Sequence, residues 1–246
     1  MAYSAGFLLA VVFAATLVRS ALGFGEALVA VPLLALRLPV REAAPLATLI
    51  SVTVAAVILL QDHQHAQRRS AAWLAGASVV GLPVGLAVIT WGQGTAVKLG
   101  LGAVIAGYAL YAMAAPRPAR ELSGRRRWLL LCGGVAGVLG GAYGMNGPPL
   151  VVYGSLRRWE PGVFRATLQA YFLPASLLGA AGFWVVVLLT APVWHAYLMT
   201  LPAVAVALPL GRRLHARVVS RAWTVWVHAG LAAVGVALVA QALSSR

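Results

Sequence analysis

Long runs of apolar residues constrain the fold of this chain more than any other feature. Six runs of roughly 20 apolar residues can each cross a bilayer as one helix. They lie at about 43–61, 73–91, 96–115, 164–189, 193–211 and 222–243. Of the 246 residues, 61% are hydrophobic and only 10% are charged, whereas about a quarter of an ordinary soluble domain is charged. The sequence therefore predicts an all-α polytopic membrane protein.

Two further apolar stretches, at about 4–36 and 128–156, are interrupted by glycine-dense breaks. The breaks are Gly23-Phe24-Gly25 in the first stretch and residues 140–144 in the second. Irregular backbone that faced lipid would leave amide groups without partners, so such breaks are tolerated only inside a protein or beside a wet cavity. We expect each stretch to form a glycine-broken helical hairpin of two short helices.

Short motifs recur in the same order in the two halves of the chain. Leu-Gly at 22–23 recurs at 139–140, Ala-Thr-Leu at 47–49 recurs at 166–168, and LPVG at 82–85 returns as LPLG at 208–211. The sequence thus predicts two repeats, each with one broken hairpin and three transmembrane helices. The first repeat covers 1–115, a basic linker covers 116–127, and the second repeat covers 128–246.

The positive charge of the chain indicates how the repeats are oriented. The net charge is +14, and short cytoplasmic loops carry the positive excess of a membrane protein. If each hairpin returns to the side from which it entered, 14 arginines fall on one side and 4 basic residues on the other. This distribution predicts inverted repeats with both termini outside, and it assigns the charge to loops rather than to a nucleic-acid surface.

Where a helix begins inside the membrane, its unpaired amide groups and its positive dipole end favour an anion. Many secondary transporters hold their substrate at such broken helices. In the second break, Asn146 is a favoured N-cap and Pro148 suits the first turn, while tight packing of small residues is the alternative. The candidate substrate-binding residues here are Tyr143, Gly144, Asn146, Gly147 and Pro148.

The first break carries two charges, Arg19 and Glu26, deep in an apolar stretch. Charged groups cost several kcal/mol in hydrocarbon, so we expect both to face a cavity. In one interpretation Arg19 attracts the anion and Glu26 titrates as a proton-coupling group or gate. The alternative is a structural ion pair, or side chains that reach toward an interface. Gly23, Phe24 and Gly25 complete this candidate element.

Polar residues on otherwise apolar helices add three weaker candidates, Thr48, Thr167 and Gln169. Hydrogen bonding between helices explains most such residues. Asp62, His63 and His65 lie in a polar loop where we expect solvation rather than a metal site, and the single cysteine, Cys132, excludes a disulfide framework. We predict no metal and no cofactor.

Together these residues resemble the sulfite exporter TauE/SafE family of membrane transporters. The motifs that carry the resemblance are GFGEALVAVPLLAL at 23–36, GGAYGMNGPPLVVYG at 140–154 and FRATLQAYF at 164–172. The resemblance spans nearly the whole chain, and Glu26 departs from the more glycine-rich form of the first motif. It implies export of small sulfur-containing anions such as sulfite or organosulfonates, with the two breaks flanking the site.

The sequence thus predicts a secondary transporter in the bacterial inner membrane that exports a small organic or sulfur-containing anion by alternating access. The alternatives are a passive anion channel and an intramembrane enzyme, although HExxH and GxSxG motifs are absent from the sequence. The expected partners are the anion and membrane lipids. A coupling proton and a homodimer stay open, and no nucleic acid is expected.

Overall fold

The structure, a computed structural model, describes residues 4–61, 67–114, 126–157, 161–218 and 221–244, and these ranges contain helices and no strands. The helices, in chain order, are α1 (Ala5–Leu22), α2 (Glu26–Ala35), α3 (Val40–Gln61), α4 (Arg68–Trp91), α5 (Gly94–Ala114), α6 (Arg126–Tyr143), α7 (Gly147–Leu156), α8 (Pro161–Val185), α9 (Ala191–Val218) and α10 (Arg221–Ser244). The loop with Asp62, His63 and His65, and the linker up to residue 125, lie outside the described residues.

Six of the described helices are long and apolar enough to cross a membrane, namely those at Ala5–Leu22, Val40–Leu60, Arg69–Trp91, Gly94–Met113, Gly162–Val185 and Ala191–Leu214. In α10, the part Ala232–Ser244 is a shorter apolar segment. The all-helical, membrane-spanning fold class predicted from the sequence is confirmed.

The two helices of each broken pair are unequal in length. α1 and α6 have 18 residues each, whereas α2 and α7 have 10 each. At a rise of about 1.5 Å per residue, a helix of ten residues covers only about half of a bilayer core of roughly 30 Å. Only the second member of each pair is therefore a half-helix, and its N-terminus begins inside the protein.

The most extensive contacts between helices pair helices of the first repeat with helices of the second. α4 packs on α6 and α1 packs on α9, while α3 packs on α8 and α5 packs on α10. In a repeat of five helices, α1 to α5 correspond to α6 to α10. Under this correspondence the α4–α6 contact becomes the α9–α1 contact, and the α3–α8 and α5–α10 contacts each map onto themselves. This is the contact pattern expected of a duplicated unit with two-fold pseudosymmetry.

Burial separates central helices from peripheral ones. In the most apolar segments of α3 and α8, 67% and 50% of the residues are buried, against 22% in α9. Large apolar side chains such as Val80 and Trp91 are exposed. On a soluble monomer so much exposed apolar surface would promote association, and here it forms the surface available to lipid. α3 and α8 thus form the centre of the bundle, and they carry several of the candidate polar residues.

Hydrogen bonds near the ends of the helices group the connections between them into two sets. Arg41, in the first turn of α3, donates hydrogen bonds to the carbonyl oxygens of Ile89 and Thr90 at the end of α4. At the other end of α4, the amide of Gln67, which precedes the helix, donates to Thr167 Oγ1 near the start of α8. The distribution of arginines along the sequence predicts that these two sets of loops lie on opposite sides of the membrane.

The close packing of α4 on α6 leads to a stability prediction. A Cβ added at Gly81 of α4 would overlap the carbonyl oxygen of Gly134 in α6, whereas a Cβ at Gly76 of the same helix meets nothing within 4 Å. We expect Gly81→Ala to destabilise the protein by about 1–3 kcal/mol through overpacking, and Gly76→Ala to be neutral or stabilising. Thermal unfolding of both variants in one detergent checks this, and equal melting temperatures would contradict the packing described.

Candidate anion-binding site

The first break joins α1 to the half-helix α2 through two glycines in the left-handed conformation. Gly23 has φ 85° and Gly25 has φ 97°, a region that residues with a side chain rarely adopt. The amide of Gly23 donates to the carbonyl oxygen of Arg19 and closes α1. Gly25 then starts α2, and its carbonyl accepts from the amide of Val29. The turn places Arg19, in the last turn of α1, beside Glu26, the first residue of α2.

Arg19 and Glu26 form a buried ion pair at this turn. Arg19 Nη1 lies 2.6 Å from Glu26 Oε2, and both side chains are almost completely buried, at 3% and 1% exposure. The same nitrogen donates to Ser51 Oγ of α3 at 2.6 Å. The guanidinium also lies over the ring of Phe172 in α8, 4.8 Å from its centroid. The ion pair is therefore fixed by α1, α2, α3 and α8 together.

Gln169 of α8 links this ion pair to the backbone of the break. Arg19 Nη2 donates to Gln169 Oε1 at 3.1 Å, and Gln169 Nε2 donates to the carbonyl oxygen of Gly23 at 2.7 Å. Arg19 Nη2 uses one of its two N–H groups in this contact, and Nε of Arg19 has no hydrogen-bond partner among the described residues. A buried donor without a partner costs free energy, so this nitrogen is available to an incoming acceptor.

The second break has a related geometry but different chemistry. Gly144 has φ 67°, and its amide donates to the carbonyl oxygen of Gly140 at the end of α6. Asn146 then precedes Gly147, the first residue of α7. Pro148 and Pro149 have no amide hydrogen. Of the four amide groups that a helix start leaves unpaired, α7 therefore retains two, those of Asn146 and Gly147.

The unpaired amide groups of both half-helices meet at one cavity, which we call the central cavity. The start of α2 leaves the amides of residues 25–28 without intrahelical partners, and these four residues all line the cavity, as do Asn146 and Gly147 of α7. The remaining lining residues are Arg19, Ser51, Met145 and Phe172. Two half-helix N-termini from different parts of the chain thus face the same space.

The central cavity is small in this conformation. Its volume is about 20 Å³, and one water molecule needs roughly 10–15 Å³. An anion with three oxygens does not fit unless a neighbouring group moves. The carboxylate of Glu26, which lines the cavity and already accepts from Arg19, is the anionic group that occupies this position.

The amide groups at the starts of α2 and α7 favour an anion in the central cavity even when Glu26 is ionised. Arg19 and Glu26 cancel each other, and each half-helix N-terminus contributes the equivalent of roughly +0.5 elementary charge. The C-termini of α1 and α6 lie at the same two breaks and have the opposite dipole sign. The preference for an anion therefore comes from the amide groups of the residues that line the cavity rather than from a net positive charge. The charged side chains come only from the first break, so the site is asymmetric although the backbone breaks correspond.

A second, smaller cavity of about 10 Å³ lies beside the central one and shares Asn146 with it. Thr48, Ser78, Gly144 and Ser176 also line it. Thr48 Oγ1 is buried and has no hydrogen-bond partner among the described residues, whereas Ser176 donates to Ser51 at 3.2 Å. Asn146 therefore separates the ion pair from a second group of hydroxyls.

The structure brings some of the predicted site residues together and places others elsewhere. Arg19, Gly25, Glu26, Asn146 and Gly147 line the central cavity, Thr48 and Gly144 line the second, and Gln169 and Gly23 are joined to Arg19 by hydrogen bonds.

Besides Gly23 and Gln169, four predicted residues line neither cavity. Phe24 packs edge-on against Phe164, with ring centroids 6.0 Å apart. Tyr143 directs its hydroxyl toward Gly100 of α5. Pro148 lines an apolar groove between α5, α6 and α7, and Thr167 accepts the amide hydrogen of Gln67.

Apart from residues 27 and 28 of α2, the sequence-based prediction missed three residues that line the central cavity, Ser51, Phe172 and Met145. Ser51 lies one turn from Thr48 on α3, so the spacing of small polar residues on a central helix was the available signal. Phe172 lies three residues from Gln169 on α8, a spacing that places both on one helix face. For Met145 the sequence contains no comparable signal.

Two half-helices that start inside a helical membrane protein and face one cavity define the class of broken-helix membrane proteins to which many transporters belong. The chain belongs to the sulfite exporter TauE/SafE family, whose model matches residues 8–238. This confirms the resemblance seen in the sequence motifs, and the match includes both breaks. No curated protein and no solved structure matches the chain.

Proposed function

We propose that this protein is a secondary transporter that exports a small sulfur-containing or other organic anion across the bacterial inner membrane. The observation that carries the proposal is the convergence of Arg19 and the unpaired amides of α2 and α7 on one cavity. Family membership supports export of a sulfur-containing anion. A proton and a second copy of the chain in a homodimer are further proposed partners.

Glu26 has a specific part in this proposal. Its carboxylate occupies the anion position on Arg19 in the closed conformation, so an incoming anion has to displace it. Protonation of Glu26 removes its charge and releases Arg19, which couples anion binding to proton binding. The Arg19 Nε donor, which lacks a partner among the described residues, then gains an acceptor.

Alternating access follows from the repeated architecture. α2 and α7 each start at the cavity and lead away from it, and their flanking helices exchange contacts as a duplicated unit does. We propose that the repeats are inverted, so that moving one half-helix opens the cavity to one side and moving the other opens it to the opposite side. A negative-inside potential favours export by about 2.3 kcal/mol for each 100 mV per net negative charge that crosses, and a proton that crosses with the anion reduces that net charge by one.

A screen of purified protein against small anions tests this proposal. A ligand that binds only the folded state raises the melting temperature in a concentration-dependent way. We expect sulfite, or an organosulfonate such as sulfoacetate, to raise it more than sulfate or short carboxylates do. Flux of the selected anion in proteoliposomes should saturate, as expected for a carrier, whereas flux that does not saturate would favour a channel. An intramembrane enzyme would instead convert the anion chemically.

The proposal predicts a specific response at Asn146. Aspartate, serine and asparagine are all favoured N-cap residues, so Asn146→Asp and Asn146→Ser should both preserve the start of α7. The carboxylate of Asn146→Asp would repel the anion or pair with Arg19, and we expect anion affinity to fall at least about tenfold. Asn146→Ser should retain affinity within a few-fold. Equal affinities of the two variants in a melting-temperature titration would exclude Asn146 from the anion site.

A further inference from the structure

A large basic cavity lies at the ends of α4, α6 and α7, away from the central cavity. Its volume is about 340 Å³, against about 20 Å³ for the central cavity, and the two share no lining residue. The residues that line it are Arg69, Ser70, Trp73, Arg126, Leu129, Tyr153 and Arg157. We call it the peripheral cavity.

The peripheral cavity gathers positive charge from three separate helices. Arg69 lies in the first turn of α4, Arg126 is the first residue of α6, and Arg157 follows α7. In the described part of the chain its lining includes no carboxylate. A cation near a helix N-terminus meets the positive end of the dipole, so Arg69 and Arg126 lie where their own helices disfavour them. A bound anion would offset both the unfavourable interaction of the arginines with the helix dipoles and the repulsion between the arginines.

The aromatic groups around this cavity are those of a membrane interface. The guanidinium of Arg126 lies over the ring of Trp73, 4.1 Å from its centroid. Trp73 is 42% exposed, and Trp128, two residues after Arg126, is 43% exposed. Half-exposed tryptophans are enriched at the level of lipid headgroups. The cavity therefore lies where phosphate groups of lipids and dissolved anions are both accessible.

We propose that the peripheral cavity is a second anion site, which binds a phosphate-type oxyanion through Arg69 and Arg126. Guanidinium groups bind phosphate oxygens in a bidentate fashion, and basic pockets between transmembrane helices bind the headgroups of acidic lipids. The phosphate is supplied either by an anionic lipid or by dissolved phosphate. The proposal does not depend on transport through the central cavity.

The experiment uses the full-length protein in a nonionic detergent, which carries no anionic group that could compete for the site. Its melting temperature is titrated with phosphatidylglycerol, with phosphatidylcholine, whose zwitterionic headgroup has no net charge, as the control. A separate titration compares inorganic phosphate with chloride at constant ionic strength. The site variant is Arg69→Gln/Arg126→Gln. The control variant, Arg127→Gln/Arg213→Gln, removes the same charge from two exposed arginines that do not line the cavity.

We expect phosphatidylglycerol to raise the melting temperature and phosphatidylcholine not to. The site variant should bind the lipid at least about 30-fold more weakly, the loss expected when two arginines that contact the phosphate directly are removed. The control variant should change less than about threefold, because its two arginines do not line the cavity. If inorganic phosphate produces the same site-specific shift, the dissolved oxyanion suffices; if only the lipid does, the headgroup is the ligand. The absence of a shift with both ligands, or an equal loss in the control variant, would overturn the proposal.

Discussion

Replacing Arg19 with glutamine is expected to abolish anion binding at the central cavity. The guanidinium donates to Glu26, Ser51 and Gln169, and its Nε has no partner among the described residues and is available to a ligand. Hydrogen bonds from a charged group contribute about 1.5–3 kcal/mol each, so losing the charge and its donors together should weaken anion binding at least about 100-fold. The measurement is a titration of melting temperature with sulfite, followed by flux in proteoliposomes.

The Arg19→Gln variant also loses stability, which has to be separated from its loss of binding. Removing one partner of a buried ion pair costs about 3–5 kcal/mol, because the other charge is left uncompensated. The double variant Arg19→Gln/Glu26→Gln removes both charges and should recover most of that stability. We expect the double variant to fold and still not bind the anion. If the double variant transports at the wild-type rate, the ion pair has only a structural role.

A charge-matched control for Arg19 is available outside the cavity. Arg37 lies over the ring of Phe7, 4.6 Å from its centroid, and does not line the central cavity. Arg37→Gln removes the same charge from the protein, so it should leave anion affinity within a few-fold of the wild-type value. A loss equal to that of Arg19→Gln would indicate a dependence on overall charge rather than on the site.

Glu26→Gln is expected to have the opposite effect on binding. The variant removes the carboxylate that competes for Arg19, so the anion should bind about tenfold more tightly or better. The gain is limited because the side-chain amide of the introduced glutamine can still accept a hydrogen bond from Arg19. The melting temperature without ligand should fall, because Arg19 is then a buried charge without a carboxylate partner. The shift produced by a saturating anion should therefore be larger than in the wild-type protein.

The same variant tests proton coupling. If Glu26 carries the coupled proton, an imposed pH gradient should drive anion flux in the wild-type protein and should have no effect in Glu26→Gln. Ser176→Ala is the control, since Ser176 contacts Ser51 but does not line the central cavity. Its flux should still follow the pH gradient. Unchanged anion affinity in Glu26→Gln would contradict the competition between carboxylate and substrate.

The positions of the helix breaks could be predicted from the sequence, and most of the side-chain directions could not. Glycine clusters in apolar stretches indicate a break, and the structure interrupts its helices at 23–25 and 144–146. Arg19 and Glu26 were candidates because a charge in hydrocarbon requires a partner or a cavity. The unequal helix lengths of each pair were not apparent, because the apolar composition continues on both sides of each break.

Repeat equivalence proved a poor guide to which residues reach the cavity. Thr48 and Thr167 occupy corresponding motifs, yet Thr48 lines the second cavity and Thr167 binds the backbone before α4. Helix rotation and neighbouring side chains decide where a hydroxyl points, and neither can be read from a three-residue motif. Tyr143 is directed toward α5 for the same reason. Ser51 could not be distinguished beforehand from serines that only link helices.

The most direct test of the central claim locates a heavy analogue of the anion. Crystals of the full-length protein soaked in selenite can be measured at the selenium absorption edge. The proposed function predicts an anomalous peak in the central cavity, within hydrogen-bonding distance of Arg19 and of the amide of Gly147. That peak should be lost in the Arg19→Gln/Glu26→Gln variant. Under conditions where selenite is transported, a peak found only among Arg69, Arg126 and Arg157, or no peak between the two half-helices, would contradict it.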